Sequence, residues 1–152
     1  MTERSRITRE QLATDPYAVW NAFVGVLAYA EPDDLTPVQL PAFLAFWYEH
    51  EVQNGGHYQY FHNRGTEEID GVIEALRTLS ADSLADVAVR AKARIISDPP
   101  KRARTLEEFM EAARQGPFDD LDAAFHECSP TIVEALEAYL GAHEADFVER
   151  VP

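Results

Sequence analysis

Helix-start signals recur at short intervals along this chain, and no stretch alternates apolar and polar residues between hairpin-type turns. The pattern predicts an all-α fold: one compact globular domain spanning residues 1–152, built from about seven to nine helices. Thr8 and Gln11 form a capping box for a short first helix, and Asp15-Pro16 starts a second that runs to about Ala30. Apolar residues from Val19 to Leu27 surround most of that helix, so it is expected at the centre of the core. Thr36-Pro37 opens a third helix with Leu40, Phe43, Leu44 and Trp47 on one stripe, ending at Asn54-Gly55-Gly56. A short aromatic helix, about His57 to Asn63, stops at Gly65, where glycine accepts the left-handed conformation.

Thr66 then reads as the cap of a helix with Ile69, Val72, Ile73, Leu76 and Leu79 inward and Glu67, Asp70 and Glu74 outward. Ser80 or Asp82 begins the next, with Leu84, Val87, Ala88, Ala91 and Ile95 inward and Arg90, Lys92 and Arg94 exposed. Beyond Pro99-Pro100 and the basic loop Lys101 to Arg104, Thr105 and Glu108 form a capping box for a helix presenting Leu106, Phe109, Met110 and Ala113. Asp119, Asp120 and Asp122 open a short helix. Ser129-Pro130 opens the last, with Ile132, Leu136, Tyr139, Leu140, His143 and Phe147 inward and Glu134, Glu137 and Glu144 on another face.

The formal charge of -14 is segregated along the chain. Residues 10–89 carry thirteen acids against Arg64 and Arg77, and residues 115–152 carry nine against Arg150 alone. Between them, residues 90–114 hold seven cations against four acids. A net field of this sign repels nucleic acid and anionic membranes and attracts basic proteins, so the expected partner is a protein, without direct nucleic-acid or membrane binding. The lone Cys128 suits a reducing compartment, and no signal peptide or membrane-length apolar run is legible; the expected location is cytoplasmic.

Chemistry-bearing sets are weak. His50, His57 and His62 lie near Glu49 and Glu51, but His57 and His62 differ by five positions, about 140 degrees apart on a helix. His126 with Cys128 is a similarly poor pair, His143 reads as a core residue, and no serine stands in a nucleophile-elbow context. No catalytic residue, metal or cofactor is expected.

The stretch Glu49 to Gly65, EHEVQNGGHYQYFHNRG, is the most distinctive in the chain. Glu51 and Asn54 share a stripe with Leu40, Leu44 and Trp47, so both are expected to point inward. With Gln59 they predict a structural network around a tight Gly-Gly turn, a ligand site being the alternative. In its acid, its Asn-Gly-Gly, its Gln-Tyr-Phe, its Asn and its closing Gly, the stretch resembles the signature of the bacterial DNA-mimic protein family. The positions are Glu51, Asn54, Gly55, Gly56, Gln59, Tyr60, Phe61, Asn63 and Gly65, with His57 where a larger apolar ring is expected. The helix with Leu76 and the segment from Phe118 to Phe147 are similar too.

The resemblance implies a protein that binds and inhibits or regulates a DNA-binding protein, such as a transcription factor, by occupying its nucleic-acid site. Carboxylates three or four apart on a helix lie about 5–6 Å from each other, a spacing suited to imitating backbone phosphates. The partner-binding residues expected on this reading are Glu67, Asp70, Glu74, Asp119, Asp120, Asp122, Glu134, Glu137 and Glu144. An acidic module of another kind, such as an immunity protein neutralising a basic toxin, is the alternative. An enzyme or metal-binding domain centred on His50, Glu51, His57 and His62 ranks third. A homodimer, with the basic segment 90–114 against an acidic face of a second copy, stays open.

Overall fold

The computed structural model describes residues 4–152. In chain order these form β1 (Ser5–Thr8), α1 (Arg9–Thr14), α2 (Ala18–Tyr29), a 3-10 turn (Pro32–Asp34), α3 (Gln39–Arg64), α4 (Ile69–Thr78), α5 (Asp82–Ser97), α6 (Leu106–Arg114), α7 (Asp119–Glu127), α8 (Ile132–Phe147) and β2 (Val148–Val151). The body is all-α, as the periodicity implies. The two strands are an addition: β1 and β2 pair in parallel, Ser5 opposite Val148 through Thr8 opposite Val151. Four residues are too few for an alternation to register in the sequence, and the partner strand lies at the other end of the chain. No helix among the described residues is long and apolar enough to cross a membrane.

Helix starts follow local chemistry in several places. Thr8 and Gln11 make the reciprocal capping box, and Thr36 and Gln39 exchange the same pair of bonds ahead of α3. Four starts differ from expectation. α2 begins at Ala18 behind Tyr17, which makes no side-chain cap, while Asp15 accepts from the Tyr17 amide in the turn before it. Thr66 does not cap α4, whose N-cap is Glu68 without a side-chain bond. Thr131 rather than Ser129 caps α8, in a box with Glu134. At α6, Thr105 accepts from the Glu108 amide, but the Glu108 carboxylate accepts from the Arg104 amide, one residue earlier than a box requires.

The hub is α3, not α2 as expected. It packs against α2, α4, α7 and α8, and its deepest residues include Ala42, Ala45, Tyr48 and Val52. α2 still drives Phe23 and Leu27 fully into the core, whereas Val19, Trp20 and Val24 are half-buried. On α3 the predicted stripe is rotated: Phe43 is buried, Leu44 and Trp47 are half-buried and Leu40 is exposed. The Trp47 indole donates to the Leu27 carbonyl at 3.1 Å, joining α3 to α2. The inward stripe of α4 is buried throughout, as are Leu84, Val87, Ala88 and Ala91 of α5. His143 is not a core residue; it sits half-exposed at a break in α8, against the Tyr139 ring. α6 buries none of its residues; Phe109, 4.9 Å from the Tyr58 ring, and Ala112 pack against the core, leaving Leu106 and Met110 in solvent.

The expected boundary at Gly55-Gly56 is a break inside α3 rather than a helix end. Gly55 and Gly56 leave helical geometry, and Gly56 takes a φ of 72°, a left-handed value that costs a residue with a Cβ. The break frees the amides that begin the second half. One of them, at His57, donates to Asp122 Oδ1 at 2.9 Å, so α7 caps a helix to which it is not joined in sequence. A Cβ on Gly56 would lie 2.3 Å from Asp122 Oδ2. Substituting Gly56→Ala combines left-handed strain with this collision, and should destabilise the fold by roughly 2 kcal/mol or more, measured by urea unfolding.

Candidate functional site

The nine acids expected to meet a partner fall on three helices and the turn before α4, and most already have something to hold. Glu67, in the turn before α4, and Asp70 and Glu74 on α4 do face solvent, but Asp70 accepts from Lys92 Nζ at 2.6 Å and Glu74 from Arg77 at 2.8 Å. On α7, the Arg94 guanidinium grips both oxygens of Asp120 and also donates to the Pro117 carbonyl. On α8, Glu134 is engaged with Thr131 and Glu144 with Arg150 at 2.7 Å. The side chains of Glu67, Asp119 and Glu137 have no ion-pair or hydrogen-bond partner among the described residues. The cause is the placement of α5, which packs against both α4 and α7. Lys92 and Arg94, expected as freely exposed cations, instead neutralise one carboxylate on each neighbour.

Asp122 belongs to the interior. Its Oδ1 accepts from the His57 amide and lies 2.6 Å from His57 Nδ1, while His57 Nε2 lies 2.6 Å from the Tyr48 hydroxyl. The ring thus bridges the Asp122 carboxylate and the Tyr48 hydroxyl, one nitrogen to each. His57 is wholly buried among Tyr48, Phe118 and Phe125, so the motif position expected to hold an apolar ring holds a polar one with every hydrogen bond satisfied. Burial pushes the Tyr48 hydroxyl well above its ordinary range, with the charges of Tyr60 and Asp122 adding to the rise.

The remaining motif residues build the second half of α3. Glu51 is buried and its Oε2 accepts from Gln59 and Asn63, each at 2.9 Å, while the Arg64 guanidinium lies 3.7 Å from Oε1 and stacks over Trp47. Asn54, expected inside, is exposed, and Asn63 supplies the amide instead. A Cβ on Gly55 would collide with Gln59. Tyr60 and Phe61 are buried against Tyr48 and Phe118, and Gly65 ends the helix at a φ of 65°. Of the histidines near this motif, His50 stacks on Phe46 and His62 meets Phe109. Among the described residues no group of three or more histidine, cysteine or acidic side chains is arranged to hold a metal.

Acids that the sequence reading left out add to the surface. The Ser83 hydroxyl donates to the Ser129 carbonyl, bringing the start of α5, with exposed Asp82 and Asp86, to the α7–α8 turn beside exposed Glu127. Glu31, Asp33 and Asp34 are exposed around the 3-10 turn. None of these six has an ion-pair partner among the described residues. Their signal in the sequence is only local acidity; the contact that gathers Asp82, Asp86 and Glu127 spans 46 positions.

A helical body with a motif-built joint and an acidic exterior defines the class. Residues 33–143 match the sequence model of DMP19-like proteins, covering most of the chain. The protein belongs to the DMP19-like family, the DNA-mimic family that the motif resembles. No curated protein and no solved structure matches it.

The hydrogen bonds and charge of Arg94 hold the Asp120 carboxyl down to about 2, against an ordinary 3.8. A depressed acid contributes stability above its unfolded value, so this contribution is present above pH 3.8 and lost as pH falls towards 2. The carboxylate is largely exposed, which limits the effect to a fraction of ~1 kcal/mol. Arg94→Gln should return the Asp120 titration, followed by carboxyl NMR, towards 3.8.

Proposed function

We propose that this protein acts by binding rather than catalysis, as a DNA mimic that occupies the nucleic-acid site of a basic, DNA-binding protein inside the cell. The observation that carries the reading is the set of carboxylates left without partners on the outside of a family member of charge -14. Glu67, Asp119 and Glu137 belong to it, as do Asp82, Asp86 and Glu127 around the Ser83–Ser129 contact. A cationic groove that reads phosphates by point charge can pair with such carboxylates without reading a base. Helices joined by short connections hold the acids in place, so little conformational freedom is lost on association. Asp70 and Asp120 are available to a partner only in competition with Lys92 and Arg94, and Asp122 serves the fold.

Affinity capture from the native cytosol at low salt should retain a DNA-binding protein that is released both by raising salt and by competing duplex DNA. Retention that duplex DNA does not disturb would reject mimicry in favour of another acidic binding module. With the partner in hand, joint reversal of Glu67, Asp119 and Glu137 to lysine should weaken binding by roughly tenfold or more. Lys92→Gln with Arg94→Gln, which releases Asp70 and Asp120, should strengthen it. Surface plasmon resonance at two salt concentrations reads both changes.

A further inference from the structure

One feature of the surface runs against the charge of the whole. Most cations on the helices and at the chain ends are paired: Arg64, Arg77, Lys92, Arg94, Arg114 and Arg150 each lie against a carboxylate. The side chains of Lys101, Arg102 and Arg104 have no ion pair among the described residues, although acids outnumber bases by about two to one in this chain. All three line one cleft of about 920 Å³, between the α5–α6 loop and the second half of α3. Glu67 is the only carboxylate in its lining.

The opposite wall is aromatic and polar. Tyr58, Phe61 and His62 line it, with His62 exposed. Tyr58 is almost wholly buried, and its hydroxyl has no hydrogen-bond partner. The loop side of the cleft is held lightly, because α6 buries none of its residues and rests on Phe109 and Ala112.

We infer that this cleft binds a small, multiply charged phosphate ester of nucleotide size. Its volume falls among small-molecule sites, and two arginines and a lysine supply the forked and point-charge donors that phosphates take. The net charge of -14 decides between small and long anions. A nucleic-acid strand would run from the cleft across carboxylates that repel it, whereas a compact anion stays within about 8 Å, one Debye length, of its cations. An extended acidic peptide meets the same repulsion. The site uses none of the acids assigned to the protein partner except Glu67, so the two readings can fail separately.

The test is titration of the whole protein with ATP, with pyrophosphate and with tetraglutamate, followed by amide chemical shifts in NMR. Saturable shifts confined to residues 58–67 and 95–105, with ATP or pyrophosphate and not with tetraglutamate, are expected. ATP binding more tightly than pyrophosphate would assign the aromatic wall to the base; equal binding would assign the site to the phosphates alone, and both support the inference. Arg102→Ala with Arg104→Ala, on an exposed loop, should lower affinity at least tenfold with an unchanged circular dichroism spectrum. Glu67→Gln should raise it several-fold. The inference is overturned by no saturable shift up to about 10 mM ligand, the weak end of useful affinity. Equal binding of tetraglutamate, or a double variant that binds as the parent does, also overturns it.

Discussion

Asp122 meeting His57 across the break in α3 is the contact on which the rest of this structure depends. A 26-residue element interrupted by two glycines has, at its interruption, amides without acceptors and a direction that nothing local specifies. Asp122 accepts one of those amides and the His57 ring, and the ring in turn meets Tyr48 on the first half. Both halves of α3 and the start of α7 are thereby fixed relative to one another. Because α3 also touches α2, α4 and α8, the angle at the break bears on how the helices packed against its two halves are placed. Gly56 is required twice, once for its backbone conformation and once for the room Asp122 needs.

The charge on this protein is better described by pairing than by sum. Along the chain, the basic segment 90–114 reads as a separate block between two acidic ones. In three dimensions its first part is woven into them, with Lys92 reaching α4 and Arg94 reaching α7. Individually such exposed bridges contribute between about 0 and 1 kcal/mol. Their larger effect is on recognition, because they remove Asp70 and Asp120 from the freely available charge and leave Glu67, Asp119 and Glu137, with the cluster around Ser83, as the open carboxylates. The second part of the block, in the α5–α6 loop, stays unpaired and faces a cleft.

How much was legible follows from the range of each interaction. The caps at Thr8 and Thr36, the buried stripe of α4 and the stop at Gly65 depend on residues within a few positions of one another, and they read correctly. The Glu51 network was legible in outline, since the buried acid needed donors and Gln59 stood two turns on. Its second amide was misassigned to Asn54, because the buried face of α3, with Ala42, Ala45, Tyr48 and Val52, is rotated away from the stripe on which Asn54 was placed. α2 looked central on account of its apolar circumference, but several faces of it are only half covered.

The sequence by itself determined the helices, their order, the break at Gly55-Gly56, the family and the excess of negative charge, because each is written in composition or in spacings shorter than a few turns. Only the tertiary structure decided that Asp122 closes the break, that β1 pairs with β2, and which acids are left to face a partner. The contacts that decide them include pairs from 22 to 143 positions apart, and a carboxylate in a sequence carries no mark of the cation that folding will bring beside it.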